Sequence, residues 1–145
     1  MLYQTATTSF KVQLAQGLHN FGPTNPNTFY IALFTAASTI NAATPTYSTA
    51  LVGEVVGTGY TQGGQQLTIT TTPTSGISGT TAYWSFANVL WSPAAFTARG
   101  AMIYNASQSN ASVCILDFGA DKTCTNSFTI QFPTAVASSA ILRIA

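Results

Sequence analysis

Apolar residues recur at every second position in several stretches of this chain, and at every fourth position in one. In residues 82–104, AYWSFANVLWSPAAFTARGAMIY, Trp84 and Phe86 fall two apart, as do Val89 and Trp91, and then Ala101 and Ile103. A period of two sets each group on one face of a strand. Asn88 and the Ser92-Pro93 pair punctuate the run, because proline donates no ladder hydrogen bond and holds the residue before it extended. The last third repeats the pattern with Cys114, Leu116 and Phe118 opposite Asp117, a turn over residues 119–126, and Phe128, Ile130 and Phe132, which together predict a hairpin. Trp84, Phe86, Trp91, Phe96, Ile103, Leu116, Phe118, Phe128 and Ile130 are therefore the expected core, the large aromatics burying about 150–250 Å² each.

The exception lies at the start. Phe10, Leu14 and Leu18 recur every four residues, which predicts a helix over residues 9–19 that Thr7, Thr8 or Ser9 caps and Asn20 and Gly22 end. Gly17 inside it costs about 1 kcal/mol, and a helix of about ten residues is marginal alone. Residues 1–21 are accordingly expected to form an arm that makes an intermolecular contact. Beyond it, FYIALFT at 29–35 reads as a strand buried on both faces, residues 51–56 as an extended segment, and GTGYTQGGQQLTITTT as a glycine corner leading into a Thr-rich strand that Pro73 ends. TSGISG at 74–79 is a turn and NASQSNAS a polar loop. About eight to ten short strands and one helix make a mainly β protein, an antiparallel β-sandwich or barrel of jelly-roll-like form with one short N-terminal α-helix, in a single β-domain over 1–145.

Composition changes the picture. Only 5% of the 145 residues are charged, against about 25% in ordinary soluble domains. The surface must be made of Thr, Ser, Asn, Gln, Ala and Gly, which lose little when a partner dehydrates them. An assembled protein is expected, self-associating as a homo-oligomer such as a trimer. Its four cations, Lys11, Arg99, Lys122 and Arg143, are scattered and the net charge is +1, which argues against nucleic acid as a partner. No apolar run reaches the ~20 residues of a membrane span, so no membrane partner is expected, and the N-terminus lacks the features of a secretion signal, which points to synthesis in the cytoplasm.

The chemistry on offer is sparse. One histidine, His19, sits at the predicted helix end, where the helix dipole suits it. Glu54, Asp117 and Asp121 are the carboxylates, and each is expected to pair with a cation, Arg99 with Asp117 first. Cys114 and Cys124 lie too far from other ligand types for zinc and read as free thiols, Cys114 buried, with a bridge across the turn left open. Gly57, Gly59, Gly63 and Gly64 lack the Gly-Lys-Ser/Thr ending of a phosphate loop and read as turns of positive φ. No catalytic, metal-binding or cofactor-binding residues are expected, no cofactor, and no enzymatic activity.

Six segments, SFKVQLAQG, FYIALFT, GEVVGTGYTQGGQQLT, VLWSPAAFTARGAMIY, ILDFGADKTCTNSFTIQFP and ILRIA, resemble in their order a family of small virion structural proteins of tailed double-stranded DNA phages and prophages. The most specific parts are residues 54–60 with Gly63 and Gly64, Trp91 with Phe96, Arg99, Ile103 and Tyr104, and residues 117–122. The resemblance implies a non-enzymatic virion protein whose partner is the major capsid protein or another virion protein. By extension it implies a cement or decoration protein on the outer capsid surface. A tail, baseplate or neck component is the alternative, and a carbohydrate-binding module, with exposed Trp and Tyr at loop tips as stacking platforms, is a further one.

Overall fold

A computed structural model describes residues 2–76 and 79–145; Ile77 and Ser78, inside the expected 74–79 turn, lie outside the described residues. Among the described residues, ten strands are all antiparallel where they pair, and one α-helix precedes most of them. In chain order they are β1 (Thr5–Ala6), α1 (Thr8–Ala15), β2 (Phe29–Phe34), β3 (Gln65–Gln66), β4 (Ile69–Thr74), β5 (Ala82–Phe86), β6 (Val89–Trp91), β7 (Phe96–Asn105), β8 (Ala111–Cys124), β9 (Phe128–Ile130) and β10 (Leu142–Ile144). A five-stranded sheet runs β1-β8-β7-β2-β3, a three-stranded one β10-β5-β4, and β6 pairs with β9.

The five-stranded sheet is covered on both faces, and β2 shows why its sequence is apolar throughout. Phe29, Ile31 and Leu33 point into the main core with Trp84, Phe86, Trp91, Ile103, Leu116, Phe128 and Ile130. Ala32 and Phe34 enter a second cluster with Leu2, Ile40, Tyr47, Met102, Tyr104 and Ile115. Alternation on a sheet buried on both sides leaves no polar positions to see. Phe96 is buried in the main core as well, whereas Phe118, expected there, is only half-buried at its margin. It follows Asp117, where β8 leaves register.

The N-terminal segment, expected to contact another molecule, packs against its own domain. Thr7 caps α1 and its hydroxyl also reaches the Ser112 carbonyl at 3.1 Å. Leu2, Thr7, Phe10, His19 and Phe21 are all buried, and the Phe21 ring stacks on Phe29 at 4.3 Å. A marginal helix is stabilised by docking, and this one docks on its own sheet. It also ends earlier than the periodicity suggests. Gly17 has φ +74°, its N–H reaches the Leu14 carbonyl at 3.1 Å, and the Leu18 N–H reaches the Gln13 carbonyl at 3.0 Å. This is a Schellman cap, so Gly17 stops the helix where the reading by period had it weakening the interior.

Three other local expectations change. Residues 51–56 form no strand; Glu54 makes an isolated bridge to Phe34, flanked by Val55 N–H to the Leu33 carbonyl at 2.9 Å. Pro73 lies inside β4, which an edge strand permits because the missing N–H can face outward. The predicted hairpin of residues 114–132 is absent: β8 runs on to Cys124 with Gly119 at φ +76°, and β9 crosses to pair with β6, Trp91 opposite Phe128.

Candidate functional site

Glu54 organises the polar centre of the molecule. Its Oε1 accepts from the Tyr60 hydroxyl at 2.9 Å and the Gly63 N–H at 2.7 Å, and its Oε2 accepts from the Tyr47 hydroxyl at 2.9 Å. The Tyr60 oxygen in turn accepts the Leu33 N–H at 2.9 Å, and the Tyr104 hydroxyl donates to the Gly63 carbonyl at 2.8 Å. Tyr47 and Tyr104 stack at 4.4 Å. One carboxylate thereby ties the loop of residues 47–63 to β2 and β7. Burial first, and then the Glu54 charge, push the Tyr104 phenol up to about 12, and burial pushes Tyr47 and Tyr60 higher still. All three stay protonated donors near neutral pH.

The glycines of this stretch serve the same clip. Gly59, Gly63 and Gly64 have positive φ as expected. Gly57 does not, and is required for another reason: a Cβ there would sit 2.6 Å from the Ala95 carbonyl oxygen. The expectation that each carboxylate has a cation partner holds for one. Glu54 is satisfied by hydroxyls and an amide, a solution that the acid–base inventory of the sequence conceals because tyrosines are read as core.

Arg99 and Asp117 do meet, Nε to Oδ1 at 3.0 Å, with side chains 27% and 21% exposed. The contact sits where the β7–β8 register breaks, and Gly119 N–H donates to the same oxygen at 2.9 Å. Those donors, Arg99 first, hold the Asp117 carboxyl below its usual range. Because both side chains reach water, the coupling between Arg99→Met and Asp117→Leu in a double-mutant cycle should be about 1 kcal/mol or less. A coupling of several kcal/mol in urea unfolding would contradict that placement.

His19 leaves the exposed helix end for the interior. Its Nδ1 takes a hydrogen bond from Asn105 Nδ2 at 3.0 Å, so the proton resides on Nε2 and is donated to Gln13 Oε1 at 2.9 Å. The ring packs edge-on to Phe10 at 5.0 Å, and burial lowers its pKa. The unfolded chain thus binds a proton that the folded chain resists. Stability should be flat above pH ~6.5, the ordinary histidine value, and fall as pH drops below it. Urea midpoints at pH 7.5 and 5.0 should show this in the native protein, and His19→Gln should flatten the slope.

Cys114 is buried and Cys124 half-buried, both free; burial pushes the Cys114 thiol up to about 12. Among the described residues, no three His, Cys, Asp or Glu side chains group as a metal site would require, and no helix is long and apolar enough to cross a membrane. Trp84 and Trp91 are 3% and 1% exposed.

What the surface does offer is apolar. Val56 is 93% exposed, Val52 lies on the other side of Glu54 in the chain, and Tyr3, Val12, Leu90 and Ile144 are also exposed. A groove of about 590 Å³ opens between β1 and α1 on one side and β10 on the other, floored by Trp84 and Leu116. A scan against family models, a search of curated proteins and a search of solved structures each find no match to this chain.

Proposed function

We propose that the chain is a non-enzymatic structural protein of a tailed-phage virion, a cement or decoration protein on the outer face of the head. The observation that carries the reading is a surface with seven charged residues in 145 that leaves valine, leucine, isoleucine and tyrosine in water. Such a surface is stabilised by contact, and each exposed apolar side chain gains about 25 cal/mol per Å² when a partner covers it. The resemblance of six segments to small virion proteins supplies the kind of assembly, with the major capsid protein or another virion protein as partner.

The mechanism is mass action. A protein that binds the closed lattice and not free subunits lowers the free energy of the closed form, and a contact of about 1,600 Å² repeated over the shell suffices. Burial of both tryptophans counts against the carbohydrate-binding reading. Quantifying the protein against the major capsid protein in purified particles tests the proposal. Copies on the order of hundreds, with earlier heat release of DNA from particles lacking the protein, support it; about six or twelve copies, as closed rings carry, would move the protein to the tail or neck. Absence from particles would overturn both readings.

A further inference from the structure

The two larger sheets do not meet along one side of the molecule. There β1 is the outermost strand of the five-stranded sheet and β10 the outermost strand of the three-stranded one, and both line the 590 Å³ groove. Each pairs on its inner side only, β1 with β8 and β10 with β5. An outer edge presents unpaired main-chain N–H and C=O groups, the template to which an extended segment adds. The groove floor is apolar, from Leu116 and Leu142.

Trp84 also lines the groove. One further feature narrows the occupant. The rim carries Lys11 and Arg143, two of the chain's four cations, and no carboxylate. All three acids are elsewhere: Glu54 in the tyrosine clip, Asp117 on Arg99, and Asp121 in the outer part of β8. Arg143 is exposed and rests on the Ala137 and Ser138 carbonyls, which leaves its charge uncompensated.

We propose that this seam is a docking site for an extended, acidic segment of a partner protein, which adds as a strand along β1 or β10. Its alternate apolar side chains cover the floor, and its acidic side chains meet Lys11 and Arg143. This rests on the reading of the chain as an assembly component and names the chemistry of the contact. Main-chain pairing with the edge strand gives affinity; the two cations select acid over base at the rim.

The test uses the full chain and three synthetic heptapeptides in which valine alternates with glutamate, lysine or serine. The glutamate peptide should bind at least tenfold more tightly than the lysine peptide. It should shift the Trp84 indole N–H resonance, assigned through Trp84→Phe, and slow amide exchange in β1 or β10. Lys11→Glu with Arg143→Glu, both at exposed positions, should fold as the native protein does and reverse the preference. Equal binding of all three peptides, or an unchanged preference in the reversed variant, would overturn the proposal. So would failure of every peptide to bind at millimolar concentration while the protein still rebinds stripped particles, a result that leaves the assembly reading standing. Peptide binding with the protein absent from particles would do the opposite. Self-association in sedimentation that the charge reversal abolishes would overturn the foreign segment in favour of a second copy.

Discussion

Replacing Gly64 by alanine should unfold the protein, or bring it close to unfolding, at ordinary temperature. Gly64 has φ +77°, which costs an L-residue about 1–2 kcal/mol. The larger effect is steric. A Cβ there would overlap the Ile31 carbonyl oxygen and lie 2.6 Å from its carbon and 2.8 Å from Ala32 Cα. Those atoms belong to β2, which pairs with β7 through six residues and packs clusters on both faces. It cannot retreat without opening one core or the other, since interiors are close-packed. The glycine corner would have to lift from β2 instead, taking with it β3 and the Gly63 N–H that holds Glu54. A loss of about 4–5 kcal/mol or more is expected, a large part of the ~5–15 kcal/mol that holds a domain together. Gly119→Ala is the control, because φ there is +76° with nothing within 4 Å of the new Cβ. It isolates the backbone cost, and urea unfolding followed by circular dichroism should show it falling by about 1 kcal/mol. If the two variants proved equally stable, the close approach to β2 would carry no weight.

Glu54→Ala should lose about 3–5 kcal/mol, because the carboxylate is the common acceptor of two phenols and an amide and hydrogen bonds to a charged group contribute about 1.5–3 kcal/mol each. The effect falls short of the full sum, since the side chain is half-buried and water can reach part of the vacated space. Glu54→Gln keeps one oxygen and a comparable shape and should lose about half as much. Of the tyrosines, Tyr60→Phe should cost more than Tyr47→Phe. Tyr60 also accepts the Leu33 N–H, so its loss leaves a donor in the middle of β2 unpaired, whereas Tyr47 only donates. Urea unfolding of the four variants checks the order. A Glu54→Ala protein within about 1 kcal/mol of the native one would show that the clip follows the fold and does not hold it.

The clip and the seam stand in different relation to the sequence. Residues 54–64 are conspicuous in the chain, yet their glycines read as turns and Glu54 as half of an ion pair. Its true partners, Tyr47, Tyr60 and Gly63, lie within nine residues of it. Spacing alone does not reveal them, since tyrosine hydroxyls and a backbone amide can satisfy a carboxylate without any cation. The seam was not legible at all. It is formed by residues 4–6, 11 and 14 meeting residues 84, 114–116 and 141–144, and no local pattern says which strand ends a sheet.

Period-two spacing determined by itself that this is an antiparallel, mainly β protein, and that Trp84, Phe86, Trp91, Phe96, Ile103, Leu116, Phe128 and Ile130 lie inside it, because alternation decides which face of a strand leaves water wherever the partner is. Four-residue spacing determined that a helix lies near the N-terminus, and a shortage of charge that Arg99 and Asp117 would find each other. Tertiary structure alone decided the rest. It joined β9 to β6 in place of β8, folded the N-terminal helix and His19 into the core, and left Phe118 at the margin. Strand pairing and docking are settled by which distant apolar faces fit together, and that free energy belongs to pairs of segments and to neither segment alone.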